Sequence, residues 1–156
     1  MRKIILACLL PVAVLAGGGA ADEAQPHLQG DGVVIDGTLF TQEDIDKGAS
    51  IFMRRCSQCH GLDHRNYKAP WLNGILGRPS ASVADWAYSE PLRAWGGVWN
   101  VETLRAWLTR PQDMIPETEM NFGGFRRRTE DRDNVIAFLV SRALVEGVED
   151  ADPASD

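Results

Sequence analysis

Apolar positions along the chain fall into distinct spacings, and each spacing predicts an element. An unbroken apolar run from Ile4 to Ala16 follows Arg2 and Lys3 and gives way to the small residues Gly17 to Ala21. The stretch from Asp22 to Leu39 is a polar, glycine-containing lead-in, and the turn pair Asp36-Gly37 after Val33-Val34-Ile35 predicts one short hairpin or an ordered arm. From Thr41 the spacing becomes helical: Ile45, Gly48 and Phe52 share a face, and Thr41 with Asp44 three residues on resembles a capping box. This helix runs into Cys56-Ser57-Gln58-Cys59-His60, with Gly61 as its expected stop. Leu62 to Lys68 reads as a loop, and Trp71 to Leu76 as at most one or two helical turns ended by Gly77-Arg78-Pro79. Ser89 before Glu90-Pro91 opens another short helix, because proline is tolerated in a first turn. Asn100 caps a clearer one, with Leu104, Trp107 and Leu108 on one face and Arg110 ending it before Pro111. An irregular loop from Gln112 to Phe125 precedes the last helix, which begins at Thr129 and buries Ile136, Leu139, Val140 and Ala143 up to Gly147. A polar tail, Val148 to Asp156, follows. The expectation is an all-α chain of short helices, and 156 residues suit one domain.

Charge and cysteine usage add a compartment. A basic start, a short apolar run and small residues are the layout of a secretory signal peptide over residues 1–21. The run is shorter than the roughly 20 residues a membrane span needs and contains Pro11, so no stable membrane anchor is expected. Cys8 has too little apolar sequence before it to be a lipoprotein acylation site. All 22 acidic residues lie beyond this segment, so the remainder is more acidic than the −6 of the whole chain. That balance argues against nucleic acid as a partner. Cys56 and Cys59 are then the cysteines left, too few for a disulfide framework, and the periplasm is the expected location.

The chemistry is concentrated at Cys56 to His60. Two thiols three positions apart can each add to a vinyl group of one porphyrin, while the adjacent imidazole reaches its iron. A redox dithiol would want a βαβ setting and gives no role to the histidine. A zinc site would need a second ligand cluster, which His27 and His64 do not supply. The motif therefore predicts one haem c, attached through Cys56 and Cys59 and ligated by His60. For the opposite face of the iron Met120 is the best candidate, since it sits in a long loop between Pro116 and Gly123-Gly124. Met114, nearer a helix end, is the next; Met53 shares a helix with the motif, and His64 is only four residues from His60.

From Lys47 to Ala143 the chain resembles class I c-type cytochromes of the mitochondrial cytochrome c and bacterial c2 type. Gly48 to Phe52, Cys56 to His60, Ala69 to Leu72, Gly74 to Arg78, Trp86-Ala87-Tyr88, Trp99, Leu104 to Pro111, Ile115 to Met120, Phe122, Gly124 and Thr129 to Leu139 carry the resemblance by their order. It implies the cytochrome c fold, short helices wrapped around one covalent haem, in a domain of residues 41–147 flanked by an extension over 22–40 and a tail over 148–156. It implies that Pro70 offers its carbonyl to His60, that Arg78, Tyr88 and Trp99 hold a haem propionate, and that Thr118 and Phe122 flank the Met120 side. It also implies that Gly48 lets the first helix cross the last near Phe138 and that Phe52 packs on the ring. The chain departs from the family at Trp107, where Tyr is common, at Leu92, where Asn is common, at Glu117 in place of Gly, and at Glu119 in place of Lys.

A haem closed by His and Met has no open position for substrate, so the expectation is a one-electron carrier rather than an enzyme, a monomer when free. Its partners would be redox proteins: a quinol-oxidising complex or periplasmic dehydrogenase as donor, a terminal oxidase or reductase as acceptor. Other readings are a dedicated subunit of one oxidoreductase, docking through residues 22–40, and a peroxidase or gas-binding protein with an open iron. The departures predict a divided docking face, acidic at Glu117, Glu119 and Asp113, basic at Arg55 and Arg126 to Arg128.

Overall fold

The computed structural model describes residues 25–149. The expected signal peptide, Cys8, and the tail beyond Glu149 lie outside the described residues.

Strands β1 (His27–Gln29), β2 (Gly32–Ile35) and β3 (Thr38–Phe40) form an antiparallel meander, so residues the sequence suggested as a hairpin or arm make a sheet. Ile35 pairs with Thr38 across the Asp36-Gly37 turn, and both turn residues have positive φ, 49° and 74°, the requirement of a type I′ turn. The all-α expectation is corrected here: the chain is mostly helical but carries this small sheet. The middle strand is buried along its whole length, Val33 and Ile35 joining the main core, while Leu39 on the outer strand stays exposed. The turn is tied down as well. Arg105 donates to Asp36 and lies 3.6 Å from Asp133, linking the sheet to two helices.

Helix α1 (Gln42–Arg55) starts at a complete capping box, with Thr41 Oγ1 accepting from the Asp44 amide and Asp44 Oδ2 accepting from the Thr41 amide at 3.0 Å. It ends at Cys56, earlier than Gly61, because the attachment motif is a run of turns. Residues 71–76 contain no helix; α2 spans Glu90–Trp95 and α3 Val101–Thr109, capped by Asn100 with Thr103. A one-turn α4 (Pro111–Met114) lies inside the stretch expected as loop, since Pro111 supplies a pre-set first-turn residue. Helix α5 (Thr129–Glu149) runs through Gly147.

Helices α1 and α5 cross in contact, and the reason is one missing side chain. A Cβ on Gly48 would stand 2.0 Å from the main-chain oxygen of Asn134. Phe52 and Phe138 then meet with ring centroids 5.5 Å apart. With α3 laid against α5, this pair encloses a core that includes Phe52, Leu104, Trp107, Val135 and Leu139. Those same side chains line the cavity described next.

Candidate haem site

A cavity of about 500 Å³ opens between α1, α3, α5 and the loops at residues 59–78, 86–89 and 118–122, with Leu92 of α2 also on its wall. Its lining is mainly apolar, and its size is that of a site for a cofactor-sized molecule. All ten side chains singled out from the sequence line it: Cys56, Cys59, His60, Pro70, Arg78, Tyr88, Trp99, Thr118, Met120 and Phe122. Met114, Met53 and His64 do not. Met114 packs at the edge of the core, Met53 is 64% exposed on the outside of α1, and His64 stacks on Trp71 with centroids 4.9 Å apart.

The two thiols are unpaired, and burial pushes the Cys56 thiol up to about 11 against the opposing pull of Arg55. His60 hydrogen-bonds to the Pro70 carbonyl through Nδ1 at 2.7 Å, which assigns the proton to Nδ1 and leaves Nε2 as the lone-pair nitrogen. Burial lowers the His60 pKa, the Pro70 contact partly offsetting it and Arg78 adding to it. The neutral ring that results is the form that binds metal.

Arg78 is held before any ligand arrives. One guanidinium nitrogen donates to Asn73 O and another to Trp71 O, both at 2.9 Å, and the group lies 4.5 Å over the Trp71 ring. Burial depresses its pKa, the cost of placing a cation in a poorly solvated wall where a carboxylate would be welcome. Tyr88 Oη accepts the Val83 N–H at 3.2 Å, leaving its own proton to donate. Trp99 sits between Trp95 and Trp107, with centroid separations of 4.9 and 5.4 Å. On the other wall, Met120 N–H is 3.5 Å from Thr118 Oγ1, and the Met120 carbonyl accepts from Gln112 Nε2 at 2.7 Å.

Gln112 and the buried Asn73 are the positions that sequence reading passed over. Both act through hydrogen bonds to main chain brought near only by folding, so no spacing in the sequence marks them. The expected divided charge face is also altered: Asp113 accepts from Arg110 at 2.8 Å and Arg126 at 2.9 Å, and the Arg126 bond holds its carboxyl below the usual range. Asp113 is thus ion-paired with two arginines rather than free on an acidic side. Glu117, Glu119, Arg55 and Arg127 remain exposed.

Two thiols and a neutral imidazole on the wall of an apolar cavity, with a carboxylate-binding corner at Arg78 and Tyr88, fit a covalently held haem. That is the site of a c-type haem protein. The family model described as Cytochrome c matches residues 45–143. Over 102 residues the chain is 41% identical to cytochrome c of Cochliobolus lunatus, covering 64% of this chain and 94% of that protein. Over 107 residues it is 36% identical to the c-type cytochrome cy of Rhodobacter capsulatus, covering 69% of this chain and 53% of that one. Among solved structures, cytochrome cH from Methylobacterium extorquens aligns with a TM-score of 0.59 at 29% identity, over 63% of this chain and 98% of the other. The chain belongs to the cytochrome c family. It binds one haem c covalently through Cys56 and Cys59 and is an electron carrier, not an enzyme. No helix among the described residues is long and apolar enough to cross a membrane.

Proposed function

We propose that this cytochrome is a periplasmic shuttle whose haem is closed by His60 and Met120, a monomer when free. The observation that carries the reading is that His60, its Nδ1 committed to Pro70, and Met120, its backbone held by Gln112, line one cavity with both thiols. When bound, the haem supplies a one-electron couple, and a thioether ligand favours its ferrous form. The protein's part is positional. Cys56 and Cys59 fix the porphyrin, Arg78, Tyr88 and Trp99 offer a corner for a propionate, and Thr118 and Phe122 flank the Met120 side. Apolar walls from Phe52, Leu104 and Leu139 exclude water, so the electron arrives without large solvent rearrangement.

Export is supported by the basic, apolar and small-residue sequence over residues 1–21. The partners we infer are a quinol-oxidising complex or periplasmic dehydrogenase as donor and a terminal oxidase or reductase as acceptor. Docking would be brief and steered by charge, through the exposed acidic Glu117 and Glu119 and the exposed basic Arg55 and Arg127. Stopped-flow oxidation of the reduced holoprotein by membranes from its host tests this. Rapid oxidation that falls with added salt, and a changed salt slope in Glu117→Lys and Glu119→Lys, are expected. Oxidation no faster than in buffer would contradict the shuttle, and unchanged variants would contradict the divided face.

A further inference from the structure

The family match ends at residue 143, yet α5 continues, and Glu146 on its extra turn reaches back to the haem pocket's supporting loop. Its Oε2 accepts the Gly74 N–H at 2.9 Å. Its Oε1 accepts from Asn73 Nδ2 and from Arg142, each at 3.1 Å. Asn73 is 5% exposed and fully engaged: Oδ1 takes the His64 N–H at 3.0 Å, Nδ2 also donates to Leu62 O at 3.1 Å, and its main-chain oxygen holds Arg78. Ala69 N–H, at the start of the same segment, bonds to Cys59 O at 3.0 Å, and Leu72 N–H, just before Asn73, to Gly61 O at 2.9 Å. Residues 69–74 are therefore strapped to the attachment motif on one side and to α5 on the other. Pro70 lies between Ala69 and Leu72, and Asn73, held by Glu146, follows Leu72 directly; the Pro70 carbonyl meets His60 Nδ1.

We propose that Glu146 is a positioning residue for the His60 side of the haem: by clamping Asn73 and Gly74 it fixes the Pro70 carbonyl against His60 and so sets the reduction potential. The proposal rests on His60 being an axial ligand. A carbonyl bonded to one ring nitrogen makes the other a stronger donor, which favours the more highly charged ferric iron. Loosening that bond weakens the donor and raises the potential. Removing Glu146 takes the acceptor from Gly74 N–H and leaves Asn73 Nδ2 with Leu62 alone, so the loop relaxes around Pro70 while both axial ligands stay bound.

The test uses the full holoprotein as wild type, Glu146→Ala, Glu146→Gln and Ile35→Ala, the last removing core contacts of a sheet residue that does not line the cavity. Three readouts are needed: the midpoint potential, the paramagnetically shifted ring-proton resonances of His60, and Gly74 amide exchange. In Glu146→Ala the potential rises, the His60 resonances move, and Gly74 exchange accelerates at least about tenfold, the loss of a hydrogen bond to a charged acceptor. Glu146→Gln, which keeps one acceptor oxygen, shows smaller changes in the same direction and carries the test if the alanine variant does not fold. Ile35→Ala lowers the melting temperature with potential and resonances unmoved. An unchanged or lowered potential in both Glu146 variants, or an equal shift in Ile35→Ala, overturns the proposal. Wild-type protein without His60 resonances in the shifted region overturns the axial assignment itself, a separate and earlier failure.

Discussion

Glu117 holds a left-handed backbone, φ +63°, at a position where the family commonly has glycine. A side chain there costs about 1–2 kcal/mol, and replacing it with glycine returns part of that against the entropy glycine adds to the unfolded chain. Glu117→Gly should therefore raise the free energy of unfolding by about 0.5–1 kcal/mol in denaturant titration, and Glu117→Val should lower it. A glycine variant less stable than wild type would mean the Glu117 side chain makes contacts that offset the strain. The departure at Glu117 was legible in the sequence, because the resemblance shows which residue is expected; its strain was not, since backbone conformation follows from how Ile115 and Met120 anchor the two ends of the loop. Trp107 and Leu92 are similar cases. Both line the haem cavity, and the sequence marks them as unusual, but only the structure puts Trp107 against Trp99 as part of a packed row of three indoles.

Helix starts were the most readable elements, because a cap is a local bargain between neighbours in sequence. Thr41 with Asp44 closes as spacing suggests, and Asn100 caps α3 as expected, with Thr103 completing a box that the structure adds. The Thr41 hydroxyl and amide hold the Asp44 carboxyl below its ordinary pKa. A depressed carboxylate contributes stability that is present above its unfolded pKa and lost as pH falls through its folded one. Thr41→Ala should thus cost about 1 kcal/mol at neutral pH, with the gap to wild type narrowing below about pH 4. A gap that is constant with pH in thermal melts would remove Asp44 from the cap. The sheet was less readable: its strands span only His27–Gln29, Gly32–Ile35 and Thr38–Phe40, and they are stable because Val33 and Ile35 find a helical core that no local pattern announces. α4 was missed for a related reason, being a single turn set by Pro111 inside a stretch with no helical period.

At the scale of the whole molecule, a short chain builds its pocket from side chains spread over α1, α2, α3, α5 and the loops between them, and then braces it from regions beyond the family match. The sheet locks α3 and α5 through Arg105, and Glu146 ties the end of α5 to the loop beneath His60. The attachment motif named the cofactor, since its chemistry is written in two cysteines and a histidine within five residues; the braces could not be read, since they join residues far apart in sequence. The central proposal is that His60 and Met120 would together hold the iron. The ferric holoprotein at neutral pH should display the weak far-red absorption band of a Met-ligated haem, and Met120→Leu should lose it while keeping the haem attached. A wild-type protein without that band, or a Met120→Leu variant that retains it, would contradict the account.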